Sequence, residues 1–326
     1  MKKVLCILLV LLLSFSLFAQ GANESSKEEL VIYSAASESE ARSLADAFNK
    51  IHPDVSITII SAGSGDLVTR VKTEWPKPDG DVILLMASEN LDQISDMLMP
   101  YKSVHHDDFD PANREASDPP KYYGTSMPLQ AIMYNTNLLS EADAPKSWAD
   151  LADPKYKGEI VLANPASSGS AYAQLYMMNK LYGMDFVADV VANTTFVASS
   201  SAGPDSVARG EYAITVTGEK NIGTKLAAGD PVAYVLPEEG TGRRLEGSAI
   251  LANCKNPEAA KKFIDFVTSK DGFQVVRDEC FRRAVSTDVP GPEGLPSLSE
   301  MKFFVYDAAE AKTMKKGLIE QFQSLL

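Results

Sequence analysis

A short turn of serine and glycine in the middle of the chain has the clearest potential to bind a ligand. The apolar run 160–163 predicts a buried strand, and Asn164-Pro165 ends it. Residues 167–170, Ser-Ser-Gly-Ser, then open a predicted helix. The first amides of a helix have no internal partner, and the helix dipole adds partial positive charge there. Such a turn suits an anion, although a lone serine in this place is more often a plain N-cap.

The same order of strand, small polar turn and helix occurs three times in the first ninety residues. These predicted strands cover residues 30–33, 55–60 and 81–86, and similar turns occur at 199–205 and 217–219. Strands that alternate with helices predict α/β sheets, in which ligands lie beyond the carboxyl ends of parallel strands. The candidate ligand-binding residues in these turns are Ser34, Ala36, Ser37, Ser61, Gly63, Ser64, Ser88, Ser168, Gly169, Ser170, Ala171, Ala202, Thr217 and Glu219.

The amino terminus has the pattern of a secretory signal. Lys2 and Lys3 precede an apolar run at 4–18, and small residues follow at 19–22. The run is shorter than the ~20 residues of a membrane-spanning helix. We therefore predict a cleaved signal peptide at residues 1–22 and a periplasmic or extracytoplasmic protein.

The chain is strongly acidic. Its 326 residues carry a formal net charge of −13, and loss of Lys2 and Lys3 with the signal would make the mature charge −15. Such a protein does not bind nucleic acid through a general field. Any anion that it binds must be held by local donors. The length is sufficient for two domains.

Two cysteines, Cys254 and Cys280, remain in the mature chain. Export to an oxidising compartment permits a disulfide between them. We expect this bridge, with two free thiols as the alternative.

Three stretches together cover much of the mature chain and resemble a known family. They are VIYSAASESEARSLADAF at 31–48, SWADLADPKYKGEIVLANPASSGSAYAQL at 147–175, and GEYAITVTGE at 210–219 with NPEAAKKFIDFVTSKDGFQV at 256–275. They resemble the extracellular solute-binding proteins of ABC importers, in the branch that includes ferric-iron, sugar-phosphate and phosphonate binders. The resemblance implies a type II periplasmic-binding fold. Each of its two α/β lobes is then a mainly parallel sheet flanked by helices, with a ligand cleft between the lobes.

The resemblance also implies where the lobes begin and end and which partner the protein binds. Lobe 1 is expected to comprise residues 28–126 and 246–290, and lobe 2 residues 127–245 and 291–326. A hinge near 126–133 and 235–247 would close the lobes on a small ligand. The implied partner is the membrane permease of an ABC importer, and we expect a monomer without cofactor or metal.

The resemblance leaves the ligand open, and the family's iron positions can be compared directly. Ferric-iron members carry a histidine and an acid after the first strand and adjacent tyrosines late in the second lobe. This chain has Ser-Ala-Ala-Ser-Glu at 34–38 and Thr-Val-Thr-Gly-Glu at 215–219. Glu38 and Glu219 alone offer too few anionic oxygens for a ferric ion. Iron or a ferric chelate remains the alternative ligand.

Hydroxyl-rich turns at helix starts instead favour a tetrahedral oxyanion. We therefore predict a small phosphorylated organic anion, such as a sugar phosphate or phosphonate. Glu219 would accept hydrogen bonds from ligand hydroxyls or an amine, or it is a solvated acid at the end of a strand. Arg282 and Arg283 are expected on the surface.

Two other functions use the same features. A secreted hydrolase would need a histidine beside the cleft serines, but His52, His105 and His106 are the only histidines and no GxSxG motif occurs. We therefore predict no enzymatic activity. A ligand-sensing receptor subunit would have the same fold, and the sequence does not separate it from a transport protein.

Overall fold

The computed structural model describes residues 28–242, 244–286, 288–297 and 300–326. The predicted signal peptide at 1–22 lies outside these residues. Within them the strands are β1 Glu28–Ser34, β2 Val55–Ser61, β3 Val82–Ala87, β4 Leu98–Met99, β5 Tyr123–Ser126, β6 Gln130–Asn135, β7 Ile160–Ala163, β8 Thr194–Val197, β9 Ile214–Gly218, β10 Val232–Val235, β11 Thr241–Gly242, β12 Glu246–Leu251 and β13 Phe303–Phe304.

The helices alternate with these strands. They are α1 Glu38–Ile51, α2 Ser64–Glu74, α3 Ser88–Leu91, α4 Gly169–Asn193, α5 Ala202–Ala208, α6 Glu219–Ala227, α7 Pro257–Val267, α8 Lys270–Asp278 and α9 Ala308–Gln323. Short 3₁₀ turns lie at Asp92–Met97, His106–Asp108, Pro111–Asn113, Ala149–Ala152 and Pro154–Tyr156. The three strand–turn–helix units predicted in the first ninety residues are confirmed.

The first sheet has the strand order β2-β1-β3-β12-β4, with β5 also paired to β12. Strands β2, β1 and β3 are parallel, with Leu30 opposite Ile57 and Tyr33 opposite Ile83. Strand β12 runs antiparallel to its neighbours because it enters the sheet as the chain returns from the second half. The sheet is therefore mixed, and its parallel strands end at the turns that the sequence singled out.

The second sheet has the order β10-β6-β9-β7-β8. Strand β7 is parallel to β8 and β9, whereas β6 is antiparallel to β9 and β10. We call the first sheet with α1, α2, α7 and α8 lobe 1, and the second sheet with α4, α5, α6 and α9 lobe 2. The assignment of the remaining residues to one lobe or the other stays a prediction.

Each lobe has its own apolar core. In lobe 1, α7 packs against α1 and the sheet: Phe263 and Val267 are fully buried, and Phe48 of α1 lies 5.2 Å from Phe263 between ring centroids. In lobe 2, Trp148 and Tyr172 are fully buried. Burying each large apolar side chain contributes roughly 1.5–3 kcal/mol, so each core fixes the strand ends that carry the polar turns.

The chain crosses between the lobes beside β5 and β6 and again before β12. Ser126, at the end of β5, also forms a bridge with Ala284, which follows α8. The N–H of Met127 donates to the carbonyl of Arg283 over 2.9 Å. The connecting segment at 126–127 is thus bonded to the segment that follows α8.

The predicted disulfide is wrong, because Cys254 and Cys280 are both free thiols. Cys280 is buried, and its Sγ lies 3.7 Å from the carbonyl oxygen of Glu40 in α1. Cys254 packs instead in the turn after β12. Burial raises the pKa of Cys254 to about 11 and that of Cys280 to about 12, so neither thiol readily forms the reactive thiolate.

Candidate ligand-binding site

Helix α4 begins where the sequence predicts, because the preceding loop closes on itself. The carbonyl of Asn164 accepts from the N–H groups of Ser167 and Ser168 at 3.1 and 3.0 Å. Ser168 is the N-cap, and its Oγ accepts from the N–H of Ala171 over 3.2 Å. The serine thus acts as an N-cap and uses one of the helix's free donors. The amides of Gly169 and Ser170 belong to the first turn and have no partner within the helix.

Glutamine side chains hold this first turn against the crossing strand. Gln130 begins β6, and its Nε2 donates to Ser170 Oγ over 3.1 Å. Gln174, one turn further along α4, donates to Gln130 Oε1 over 2.8 Å and to the carbonyl of Val216 over 3.0 Å. The helix start is therefore fixed in position relative to the cleft.

An arginine from the crossing segment between β11 and β12 reaches the same turn. Arg244 is buried, with 7% of its side chain exposed. A β-carbon built on Gly169 would lie 3.6 Å from Arg244 Nη2, an ordinary contact distance, so the guanidinium lies beside the helix start. Two positive groups, a helix N-terminus and a guanidinium, are thereby placed together. This pairing is suited to an anion.

Glu89 balances part of that charge. It lies in α3, directly after Ser88, and its Oε1 is 2.9 Å from Arg244 Nε. Burial opposes the charge of Arg244, but the carboxylates of Glu89 and Glu246 outweigh burial and raise the arginine's pKa. Arg244 is therefore charged at neutral pH. The N–H of Ser88 donates to the carbonyl of Leu245 over 3.0 Å, and this bond brings α3 beside the arginine's strand.

Three buried polar atoms in this cluster lack a hydrogen-bond partner among the described residues. They are Glu89 Oε2, Arg244 Nε and the hydroxyl oxygen of Tyr306. Arg244 Nε is near the Glu89 carboxylate, but its N–H does not point along a hydrogen bond to it. Each unsatisfied buried group costs roughly 1–3 kcal/mol. Their concentration in one place is what a site for ligand atoms requires.

A second polar group between the lobes is satisfied internally. Glu219 and Arg283 are each 3% exposed, and they share two hydrogen bonds of 3.0 and 2.9 Å. Burial raises the pKa of Glu219, and the contact with Arg283 works against that shift. The prediction that Arg283 lies on the surface is wrong, and the carboxylate proposed to contact ligand already has a counter-ion. Buried charges are retained where they can pair.

The residue after Glu219 bridges the lobes. Lys220 Nζ of α6 lies 2.7 Å from Glu40 Oε2 of α1, and Arg282 Nε lies 2.7 Å from Glu40 Oε1. Arg282 also contacts Glu246, which accepts a hydrogen bond from the Ser126 hydroxyl over 2.8 Å. Arg282, only 12% exposed, is therefore not a surface residue either.

The remaining predicted residues have mainly local contacts in the described structure. The Ser34 hydroxyl accepts from the N–H of Ala36 over 3.1 Å, and Ser37 forms a capping box with Glu40. Thr217 Oγ1 accepts from Asn221 over 2.7 Å. Ser61 is the last residue of β2, and three others lie at the starts of α2 and α5; these are Gly63, Ser64 and Ala202. The structure thus brings together the turns at 88 and 168–171, and does not join the others to that cluster.

Sequence reasoning missed the residues that complete the cluster, namely Glu89, Arg244, Tyr306 and Lys315. Of these, Glu89 could have been found most easily from the sequence, because it directly follows Ser88, a predicted ligand-binding residue. Nothing in the local pattern showed that a crossing segment and the carboxyl-terminal helix would meet at this turn.

The described part of the chain contains no group of three or more histidine, cysteine, aspartate or glutamate side chains placed to hold a metal ion. The contacts described for the histidines lie within lobe 1. The ring of His52 lies against Phe48, and Nδ1 of His106 is 2.8 Å from the hydroxyl of Tyr123. The described contacts therefore pair none of them with Ser168.

Comparison with known proteins gives the family. Residues 43–281, well over half of the chain, match the model of the bacterial extracellular solute-binding proteins. The chain belongs to this family. The solute-binding protein has the two-lobe architecture of periplasmic binding proteins, with helices on mixed sheets.

Its relatives differ in their ligands. An uncharacterized protein of Haemophilus influenzae is 28% identical over 320 residues, covering 93% of this chain and 92% of that relative. The Fe(3+)-binding periplasmic protein of Serratia marcescens is 24% identical, covering 94% of this chain and 93% of that relative. The periplasmic binding protein AfuA of Actinobacillus pleuropneumoniae, solved with fructose-6-phosphate bound, matches with a TM-score of 0.82 at 27% identity, over 92% of this chain and 98% of AfuA.

The solute-binding protein is thus a substrate-binding component of an ABC importer, which delivers a small ligand to a membrane permease. The Serratia protein and AfuA are both binding proteins. Among the described residues, no helix combines the length and apolar composition that a membrane crossing requires.

Proposed function

We propose that the solute-binding protein captures a small phosphorylated organic anion, a sugar phosphate or a phosphonate. The phosphate would bind where the first turn of α4 meets Arg244. The protein, exported by the signal peptide predicted at 1–22, would close its lobes on the ligand and act as a monomer.

The observation that carries this proposal is the approach of Arg244 to Gly169. A helix N-terminus contributes roughly 0.3–1 kcal/mol toward a bound charge, and up to about 2 kcal/mol when partly buried. A hydrogen bond to a charged group contributes roughly 1.5–3 kcal/mol. Because Arg244 and the first-turn amides converge, several such bonds can form to one phosphate.

The charge balance of the cleft supports an anion of modest charge. Arg244 is partly neutralised by Glu89, so the site is not a strong general attractor for anions. The overall negative charge of the protein also opposes binding at a distance. Binding would therefore depend on short-range contacts within the cleft.

The alternative ligand, ferric iron or a ferric chelate, is suggested by the Serratia relative. The segment aligned with the family's tyrosine pair carries Glu219 here, and Arg283 already pairs with that carboxylate. A ferric ion would have to displace this ion pair or bind entirely through a chelating partner. These contacts favour the phosphorylated ligand.

The test introduces a fixed negative charge at the N-cap. Ser168→Asp keeps a residue that caps helices well, so the fold should survive, but its carboxylate would repel a bound phosphate. We expect at least a tenfold loss of affinity for sugar phosphates by isothermal titration calorimetry. The matched control is Ser269→Asp, because Ser269 caps α8 in lobe 1 with a similar hydrogen bond of 3.1 Å to Gly272.

Two results would overturn the proposal. One is unchanged phosphate binding by Ser168→Asp. The other is a rise in melting temperature with ferric salts alone, accompanied by a visible charge-transfer colour, in a panel that also contains phosphates and phosphonates.

A further inference from the structure

We infer that the carboxyl-terminal segment completes the ligand site through Tyr306 and Lys315, and that with Glu89 these residues select a phosphate ester bearing hydroxyl groups over a phosphonate bearing an amine. This inference rests on the proposed function, and it assigns the part of the site that faces the ligand beyond its phosphate.

Tyr306 is held in the cluster by neighbours on two sides. Its ring packs edge-on against Tyr176 of α4, with 5.0 Å between ring centroids. A β-carbon on Gly242 would lie 3.3 Å from Tyr306, so this tyrosine lies against the segment that carries Arg244. Burial and the nearby Glu89 raise the pKa of Tyr306, which keeps its hydroxyl protonated. It can therefore donate one hydrogen bond and accept others.

Helix α9 brings a second cation to the same place. The hydroxyl of Tyr172 in α4 donates to the carbonyl of Ala311, which fixes α9 against α4. Lys315, one turn further along α9, has its Nζ 5.4 Å from the centroid of the Tyr172 ring. Its charge interacts with both Glu89 and Arg244. The carboxyl-terminal helix is therefore part of the electrostatic environment of the cluster.

The three unsatisfied atoms have complementary chemistry. Glu89 Oε2 is an acceptor, Arg244 Nε is a donor, and the Tyr306 hydroxyl is both. Because a ligand hydroxyl also donates and accepts, adjacent hydroxyls can satisfy all three atoms. Inorganic phosphate would occupy the start of α4 beside Arg244 and has no carbon-bound hydroxyls, so it leaves Glu89 Oε2 and the Tyr306 hydroxyl unsatisfied, and the Glu89 carboxylate repels its charge.

An amine-bearing ligand is disfavoured because its positive charge is repelled by nearby cations. An ammonium group could donate to Glu89, but it would then lie beside Arg244 and near Lys315. Repulsion from two cations in a buried site offsets the attraction of one carboxylate. The cluster therefore distinguishes a polyhydroxylated phosphate ester from an aminoalkyl phosphonate.

The test measures three probes on the mature chain by calorimetry: glucose 6-phosphate, 2-aminoethylphosphonate and inorganic phosphate. We expect the hydroxylated probe to bind at least tenfold more tightly than either of the others. Tyr306→Phe removes only the hydroxyl, so it should weaken glucose 6-phosphate about three- to tenfold and change inorganic phosphate by less than twofold. The control is Tyr176→Phe, because the Tyr176 hydroxyl bonds to Glu310, outside the cluster.

A second variant gives effects of opposite sign. Glu89→Gln removes the negative charge beside Arg244, so affinity for inorganic phosphate should rise while affinity for glucose 6-phosphate falls. Equal effects of Tyr306→Phe on both probes, or tighter binding of the aminophosphonate, would overturn the inference and leave the phosphate site in place. Failure of every phosphate probe to bind the wild-type protein would instead overturn the proposed function itself.

Discussion

Replacing Arg283 by methionine should destabilise the protein, because it leaves the Glu219 carboxylate buried without a counter-ion. Both side chains are 3% exposed, and the arginine also donates to the carbonyl of Pro296 over 2.7 Å. Methionine fills much of the same volume but offers neither charge nor donor. Removing one partner of a buried ion pair typically costs about 3–5 kcal/mol.

That cost converts into a measurable change in melting temperature. An unfolding entropy of about 2.1 cal/mol/K per residue gives roughly 0.6 kcal/mol/K for the ~300 residues that follow the predicted signal peptide. A loss of about 4 kcal/mol should therefore lower the melting temperature by roughly 6 °C. Scanning calorimetry on the wild-type and variant proteins at neutral pH checks this value.

The pH dependence of the loss provides an independent check. Without Arg283, burial is left to raise the pKa of Glu219. Its folded-state pKa then lies above its unfolded value, so no penalty exists where Glu219 is protonated in both states. The penalty appears as the pH rises above the unfolded pKa and is complete above the folded pKa. The deficit of Arg283→Met should therefore be larger at pH 8 than at pH 5.

A double-mutant cycle separates this structural role from ligand binding. Glu219→Leu combined with Arg283→Met removes both charges, and the double variant should be more stable than Arg283→Met alone. A melting temperature for Arg283→Met within 2 °C of wild type would refute the reasoning. So would a Glu219→Gln variant that keeps its stability but loses ligand affinity, because Glu219 would then be the ligand contact that the sequence suggested.

Three other outcomes follow from the described contacts. Burial alone would raise the pKa of Glu40, but Arg282 and Lys220 outweigh it and lower the pKa to about 2. The ionised Glu40 should stabilise the folded protein by about 3 kcal/mol. This stabilisation is complete above its ordinary pKa of 4.5 and is lost as the pH falls toward 2. The melting temperature of Glu40→Gln should therefore depend less on acid pH than that of the wild type. Lys220→Met removes the contact of Lys220 with Glu40 between the lobes and should lower ligand affinity severalfold in calorimetry; unchanged affinity would show that this pair does not favour closure. Alkylation of the unfolded, unreduced protein should label both Cys254 and Cys280 by mass spectrometry, and an unlabelled product would instead reveal a bridge.

The sequence predicted the local elements of this protein because their signals are local. Alternating apolar runs and small polar turns identified β1 to β3 and the helices after them, and residues 164–168 located the start of α4. Such patterns depend only on neighbours in the chain. These elements are enough for the fold class and for one half of the candidate site.

Whether each charged residue is buried or exposed depends on which of them pair in the folded protein. Glu219 was assigned to the ligand and Arg283 to the surface, yet the fold buries them together although they lie 64 positions apart. A charge is tolerated in the interior only beside its partner, and that partner lies on another strand or segment. The sequence by itself therefore determined the strands, the helix starts and a candidate ligand-binding turn. Only the tertiary structure decided that Arg244, Glu89 and Tyr306 surround that turn, because long-range packing brings together groups whose separate sequence contexts show no relation.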